Sequence, residues 1–146
     1  MEFWHNGILT SDVDNTIAFL CAASGAPRDK WTVMDIDFPQ SKMLCGDGGT
    51  LRVAFGRVGG VVIELLQPLD DCSYHAKALR TRGAGFHHNA YVCEDNMDEA
   101  LASLLAGDGR KVWEFRDGDE HACYIEADDG SAVLELINRC PFMPDE

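Results

Sequence analysis

Four residues in this chain could share one piece of chemistry: His5, Glu64, His88 and Glu135. Glu64 lies in Val61-Val62-Ile63-Glu64-Leu65-Leu66, and Glu135 lies in Ala132-Val133-Leu134-Glu135-Leu136-Ile137. Both segments are apolar at nearly every other position, the mark of a strand covered on both faces. An unpaired carboxylate in such a place costs several kcal/mol at the least, and it needs a compensating cation. Few basic residues stand near either Glu in sequence.

The chain also repeats itself, and the repeat supplies two more residues. His5-Asn6-Gly7-Ile8-Leu9 and His88-Asn89-Ala90-Tyr91-Val92 both run His-Asn-small-apolar, then reach acidic residues and a helical pattern. Ile63-Glu64-Leu65-Leu66-Gln67 and Leu134-Glu135-Leu136-Ile137-Asn138 close the two halves in the same way. The His-to-Glu spacing is longer in the first half, which implies an extra loop there. Two imidazoles and two carboxylates at matched positions balance one divalent ion. That donor set suits Zn, Mn, Co, Ni or Fe in a six-coordinate site with two positions left for substrate.

His87 stands beside His88, and strand neighbours point to opposite faces. The repeat pairs His88 with His5. Alternation then places His88 on one face with Phe86, Ala90 and Val92, and sends His87 outward or into a loop contact.

The elements that must position these residues follow from periodicity and caps. Phe3 to Thr10 is expected as a strand, and Ser11 or Asp12 caps a helix to about Ala23. Gly25-Ala26-Pro27 stops that helix. Trp31 to Phe38, Leu51 to Phe55 and Val61 to Leu66 read as strands, with a turn over residues 46–49 and a hairpin near Gly59-Gly60. The second half reads Phe86 to Cys93 as a strand, a helix capped by Asp95, and strands over Lys111 to Phe115, Ala122 to Ala127 and Ala132 to Ile137. Each half is therefore βαβββ. Module one spans about 3–69, module two about 86–140, and residues 70–85 link them. The linker holds the densest basic cluster, Lys77, Arg80 and Arg82. This cluster is either a solvated linker or a contact for substrate phosphates.

The bulk numbers bound the rest. The 146 residues suit a single domain, with 46% hydrophobic residues to fill its core. Twelve Lys and Arg against 25 Asp and Glu leave a formal charge of -13, which disfavours nucleic acid and anionic membranes as partners. Six cysteines form no CxxC pair, and Met1 to Asn6 has no apolar stretch of the signal-peptide kind. Reduced cysteines and a cytoplasmic location are the expectation.

His5 with its strand, VVIELLQP, GFHHNAYV and SAVLELIN together resemble the vicinal oxygen chelate superfamily, also called the glyoxalase/bleomycin-resistance/dioxygenase fold. The resemblance runs over roughly Phe3 to Asn138. It is closest to methylmalonyl-CoA epimerases and the glyoxalase-like proteins around them, through AFGRVGGVVIELLQPL and GFHHNAY. It implies an α+β fold of two tandem βαβββ modules, forming a curved mixed sheet around a metal-binding cleft. It implies one divalent metal held by the first and fourth strands of each module, the places of His5, Glu64, His88 and Glu135. The chemistry implied is proton abstraction beside a carbonyl, with metal stabilising an enolate. That makes the chain a metal-dependent isomerase, epimerase or lyase on an acyl-CoA thioester or glutathione adduct, with Glu135 as one base.

The epimerases resembled here carry a second catalytic carboxylate in the loop before the third strand. This chain has Gly48 at that place and Asp47 beside it, which makes Asp47 the candidate. Alternative readings are a metal-free small-molecule binding protein and a ring-cleaving dioxygenase. Proteins with this resemblance often pair, and open sheets leave edges to cover, so a homodimer acting on a small molecule is expected.

Overall fold

The computed structural model describes residues 1–145. Its strands are β1 (Glu2–Leu9), β2 (Thr32–Phe38), β3 (Met43–Cys45), β4 (Gly49–Val58), β5 (Val61–Pro68), β6 (Gly85–Val92), β7 (Arg110–Asp117), β8 (Glu120–Glu126) and β9 (Val133–Ile137). The helices are α1 (Val13–Ser24), α2 (Tyr74–Arg82) and α3 (Met97–Ala106). The α+β fold of two modules expected from the repeat is present, with two additions: β3 in the first half and α2 in the linker.

Asp12 caps α1 by accepting from the Asn15 amide at 3.0 Å, and Gly25 ends it in the left-handed region at φ 74°. Val13 and Ile17 are the buried residues of α1, and they pack on Ala54, Ile63 and Leu65 of the sheet. On the second half α3 packs Met97 against Cys93, Cys123, Ile125 and Leu136. Both helices thus cover one face of a single sheet. The other face carries Trp4, Leu51, Val53, Phe55, Val62 and Leu66 from the first half, and Trp113, Phe115, Ala122 and Tyr124 from the second. The linker helix α2 lies against this second face, with Ala78 in the first cluster and Tyr74 against the other.

All nine strands of the described residues form that one sheet, in the order β2-β4-β5-β1-β6-β9-β8-β7-β3. β2 and β3 are at opposite edges, yet only residues 39–42 separate them. The sheet must therefore curl until its edges approach, a half-barrel with an interior. The longer first half is spent here: its extra chain becomes β3 and pairs with β7 of the other module, Met43 opposite Phe115. No helix among the described residues is long and apolar enough to cross a membrane.

At the centre β1 and β6 run antiparallel, with Asn6 opposite Asn89. That pair marks the pseudo-two-fold axis of the repeat. Each central strand has the closing strand of its own module beside it in parallel: Gly7 opposite Glu64, and Ala90 opposite Glu135.

Candidate metal centre

The two His-led strands each carry a β-bulge. The register of β1 on β6 skips Trp4, and the register of β6 on β1 skips His87. A bulge leaves one residue unpaired and re-aims the side chains around it. Trp4 and His5 therefore both reach the interior, with ring centroids 4.3 Å apart. His87 and His88 do the same at 5.2 Å. The expectation that His87 faces outward is corrected by this geometry: it is 4% exposed. Phe86, expected to share a face with His88, is instead 63% exposed. Simple alternation fails because the bulge puts two successive side chains on one side.

Beyond each bulge alternation resumes. Glu64 shares its face with Val62 and Leu66, whereas Glu135 shares its face with Val133 and Ile137. The result is convergence: one donor atom from each of His5, Glu64, His88 and Glu135 lies within 4.8 Å of every other. His5 Nε2 stands 2.9 Å from Glu64 Oε2, 3.4 Å from Glu135 Oε2 and 3.1 Å from His88 Nε2. His88 Nε2 stands 3.1 Å from Glu135 Oε2 and 3.4 Å from Glu64 Oε2. Both imidazoles are fully buried, and the carboxylate side chains are 12% and 10% exposed.

The donors are aimed at a common point more than at each other. Neither Glu64 Oε2 nor Glu135 Oε2 meets a donor at hydrogen-bonding geometry, despite the short distances. Four ligands about 2.1 Å from one ion stand about 3.0 Å apart at right angles and about 3.4 Å apart at tetrahedral angles. The separations of 2.9–3.4 Å match those edges. The residues present thus fit a divalent ion. Without a cation the cluster must hold protons instead. Burial pushes His5 down, but the negative charges of Glu64 and Glu135 beside it outweigh burial and raise His5 to about 9. His88 is also raised against burial, through Glu135 and Glu64. Glu64, which burial alone would raise, is held well below the carboxylate range by His5.

A cleft of about 320 Å³ opens on Glu64 and Glu135, walled by Trp4, Phe55, Leu66, Trp113, Phe115 and Tyr124. Asp37, Asp117 and Glu120 also line it, and no lysine or arginine among the described residues does. Tyr124 stands opposite Glu135 across β8 and β9, and its hydroxyl meets His75 Nε2 at 2.9 Å. Burial lowers His75 to about 4, so it is neutral there.

Asp47 is not brought to the cluster. Its carboxylate pairs with Lys77 on the surface, both side chains 52% exposed. Nor is there room for a side chain at position 48, where a Cβ would stand 2.1 Å from the Phe38 carbonyl oxygen. The basic linker residues are committed too: Lys77 to Asp47, Arg80 to the Asp71 carbonyl and Arg82 to Glu126. The residues around the cluster that sequence reasoning missed are His75, Tyr74 and Tyr124, which sit in the linker and in an ordinary apolar strand. His87 is visible in the sequence, but strand alternation alone assigns it the wrong face.

The sequence matches the family described as the Glyoxalase/Bleomycin resistance protein/Dioxygenase superfamily over residues 4–125. No curated protein matches it by sequence. Among solved structures, the chain is similar to a hypothetical protein from Bacillus halodurans, with 19% identity, 99% and 98% of the two chains covered and a TM-score of 0.66. It is similar to methylmalonyl-CoA epimerase from Mycobacterium tuberculosis, with 25% identity, coverage of 96% and 89%, and a TM-score of 0.64. It is also similar to a variant of Streptomyces coelicolor methylmalonyl-CoA epimerase in complex with 2-nitronate-propionyl-CoA, with 23% identity, coverage of 94% and 93%, and a TM-score of 0.63.

Proposed function

Starting from a chain that belongs to the glyoxalase/bleomycin resistance/dioxygenase superfamily, we propose that it is an isomerase, epimerase or lyase that binds one divalent ion and removes a proton beside a substrate carbonyl. The observation that carries this reading is the convergence of His5, Glu64, His88 and Glu135 within 4.8 Å at the base of an apolar cleft. These four residues would hold the ion. When bound, it supplies Lewis-acid stabilisation of the negative charge that develops on a carbonyl oxygen.

The chain's own groups account for the rest. Glu135 is the base, and Glu64 is its counterpart across the pseudo-two-fold axis. Two carboxylates presented from opposed strands can take a proton from one face and return it to the other, the requirement of an epimerisation. With Asp47 turned to Lys77, Glu64 takes the role that the loop carboxylate was expected to fill. Trp4, Phe55, Trp113 and Phe115 exclude water, which strengthens every charge interaction inside. The cleft suits the acyl or keto end of a substrate. The methylmalonyl-CoA epimerase neighbours make a thioester one candidate, and a glutathione adduct is the other. Of the acids at the mouth, Asp117 pairs with Lys42 and Glu120 with Arg139.

One feature supports a homodimer: Phe3 and Phe86 are 48% and 63% exposed on the two central strands.

The test is metal analysis together with deuterium exchange. The protein, loaded in turn with Zn, Co, Ni and Mn, should bind about one ion per chain. It should then exchange the proton at the carbon beside the carbonyl of methylmalonyl-CoA, its short pantetheine thioester or a 2-oxo thiol adduct. Glu135→Gln should abolish the exchange. Exchange that is equally fast after chelation would end the reading.

A further inference from the structure

The two imidazoles of the cluster differ in what holds them. His5 Nδ1 is buried and has no hydrogen-bond partner. His88 Nδ1 lies 2.9 Å from His87 Nδ1, and His87 Nε2 lies 3.0 Å from the hydroxyl of Tyr74. The chain runs from the centre of the site through a bulged strand to the linker helix α2.

We propose that His87 is the positioning residue of the metal centre, fixing the ring angle and tautomer of His88, with Tyr74 fixing His87 in turn. The inference rests on the metal reading above. With His88 Nε2 turned toward the ion, the ring must carry its proton on Nδ1. His88 Nδ1–H then donates to His87 Nδ1. His87 carries its own proton on Nε2 and donates it to the Tyr74 oxygen. This one assignment satisfies every contact along the chain. A ligand histidine usually donates its second N–H to a carboxylate, a carbonyl or water; here a second histidine accepts it. The bulge at His87 is what makes the contact geometrically available, because in a regular strand the two rings would stand on opposite faces.

Three proteins test this: the wild type, His87→Leu and His87→Asn, each checked for native circular dichroism and titrated with Co(II) while the visible spectrum is recorded. Leu fills the space without an acceptor, whereas Asn Oδ1 can stand near the place of His Nδ1. His87→Leu should lose about 10–100-fold in cobalt affinity and change the ligand-field spectrum. His87→Asn should recover most of both. In parallel, imidazole nitrogen NMR of the wild type should show scalar coupling between His88 Nδ1 and His87 Nδ1 across the hydrogen bond. A Leu variant with wild-type affinity and spectrum would overturn the proposal, as would an Asn variant that falls as far as Leu. A wild type that takes up no cobalt would sink the metal reading itself. The coupling would then decide alone: its presence would uphold the His88–His87 chain, and its absence would refute it.

Discussion

Gly7 lies opposite His88 across β1 and β6, and a Cβ at position 7 would stand 2.1 Å from the His88 Cε1. The glycine is therefore the floor on which the imidazole rests. Its pseudo-symmetric counterpart, Ala90, lies opposite His5 and is fully buried. Gly7→Ala should displace the His88 ring and cut metal affinity by at least about 10-fold, since small misplacements at such a centre are costly. The fold should survive, because the clash is with one side chain. Calorimetric titration with Zn checks this, and unchanged affinity in a folded variant would show that the ring does not need that place.

Asp47 and Glu135 should behave as opposites. Asp47 makes an exposed ion pair with Lys77, the kind that contributes about 0–1 kcal/mol to stability. Asp47→Ala should leave proton exchange within about 2-fold of wild type, while Glu135→Gln removes it. A large loss of exchange in folded Asp47→Ala would show that the loop carboxylate reaches the substrate after all.

Metal affinity should rise with pH across the neutral range. His5 in the metal-free protein is raised to about 9, and an imidazole must be neutral to bind an ion. Binding near pH 7 therefore expels its proton. The apparent affinity should climb by at least about 10-fold per pH unit below pH 9, and more steeply where His88 releases a proton as well. Titration calorimetry in buffers of different ionisation enthalpy reads the released proton directly. A flat profile from pH 6 to 8 would contradict it.

Acid should destabilise the fold through His75. Burial lowers this imidazole to about 4, whereas in the unfolded chain it titrates near its ordinary 6.5. Between those values the unfolded state binds more protons. The contribution is therefore complete above pH 6.5 and is lost as pH falls toward 4. Urea midpoints should drop over this window by roughly 1–3 kcal/mol in unfolding free energy. In His75→Phe the slope over the same window should be shallower. Equal slopes in the two proteins would assign the acid sensitivity elsewhere.

Much of the centre was legible in the chain itself. The apolar strands around Glu64 and Glu135 forbid an unbalanced carboxylate, and the repeat pairs each with a histidine. Both inferences use only alternation, burial and charge, which are local properties of a sequence. The same locality explains why α1 starts at its expected Asp12 cap, whereas Asp95 does not cap α3, which begins after Asn96 with no side-chain cap. What the tertiary structure decided was non-local. Whether His87 faces in or out depends on how β6 pairs with β1, and the bulge belongs to that pairing, not to either strand alone. The basic linker became a helix against the interior face of the sheet, bringing Tyr74 to His87 and His75 to Tyr124. The extra chain of the first half crossed to the far edge as β3 only because the sheet curls. Asp47 pairs with Lys77 of the linker helix, away from the cleft. Periodicity says which side of its own strand a residue takes; only the curled sheet and the packed linker say what stands on the other side of the space.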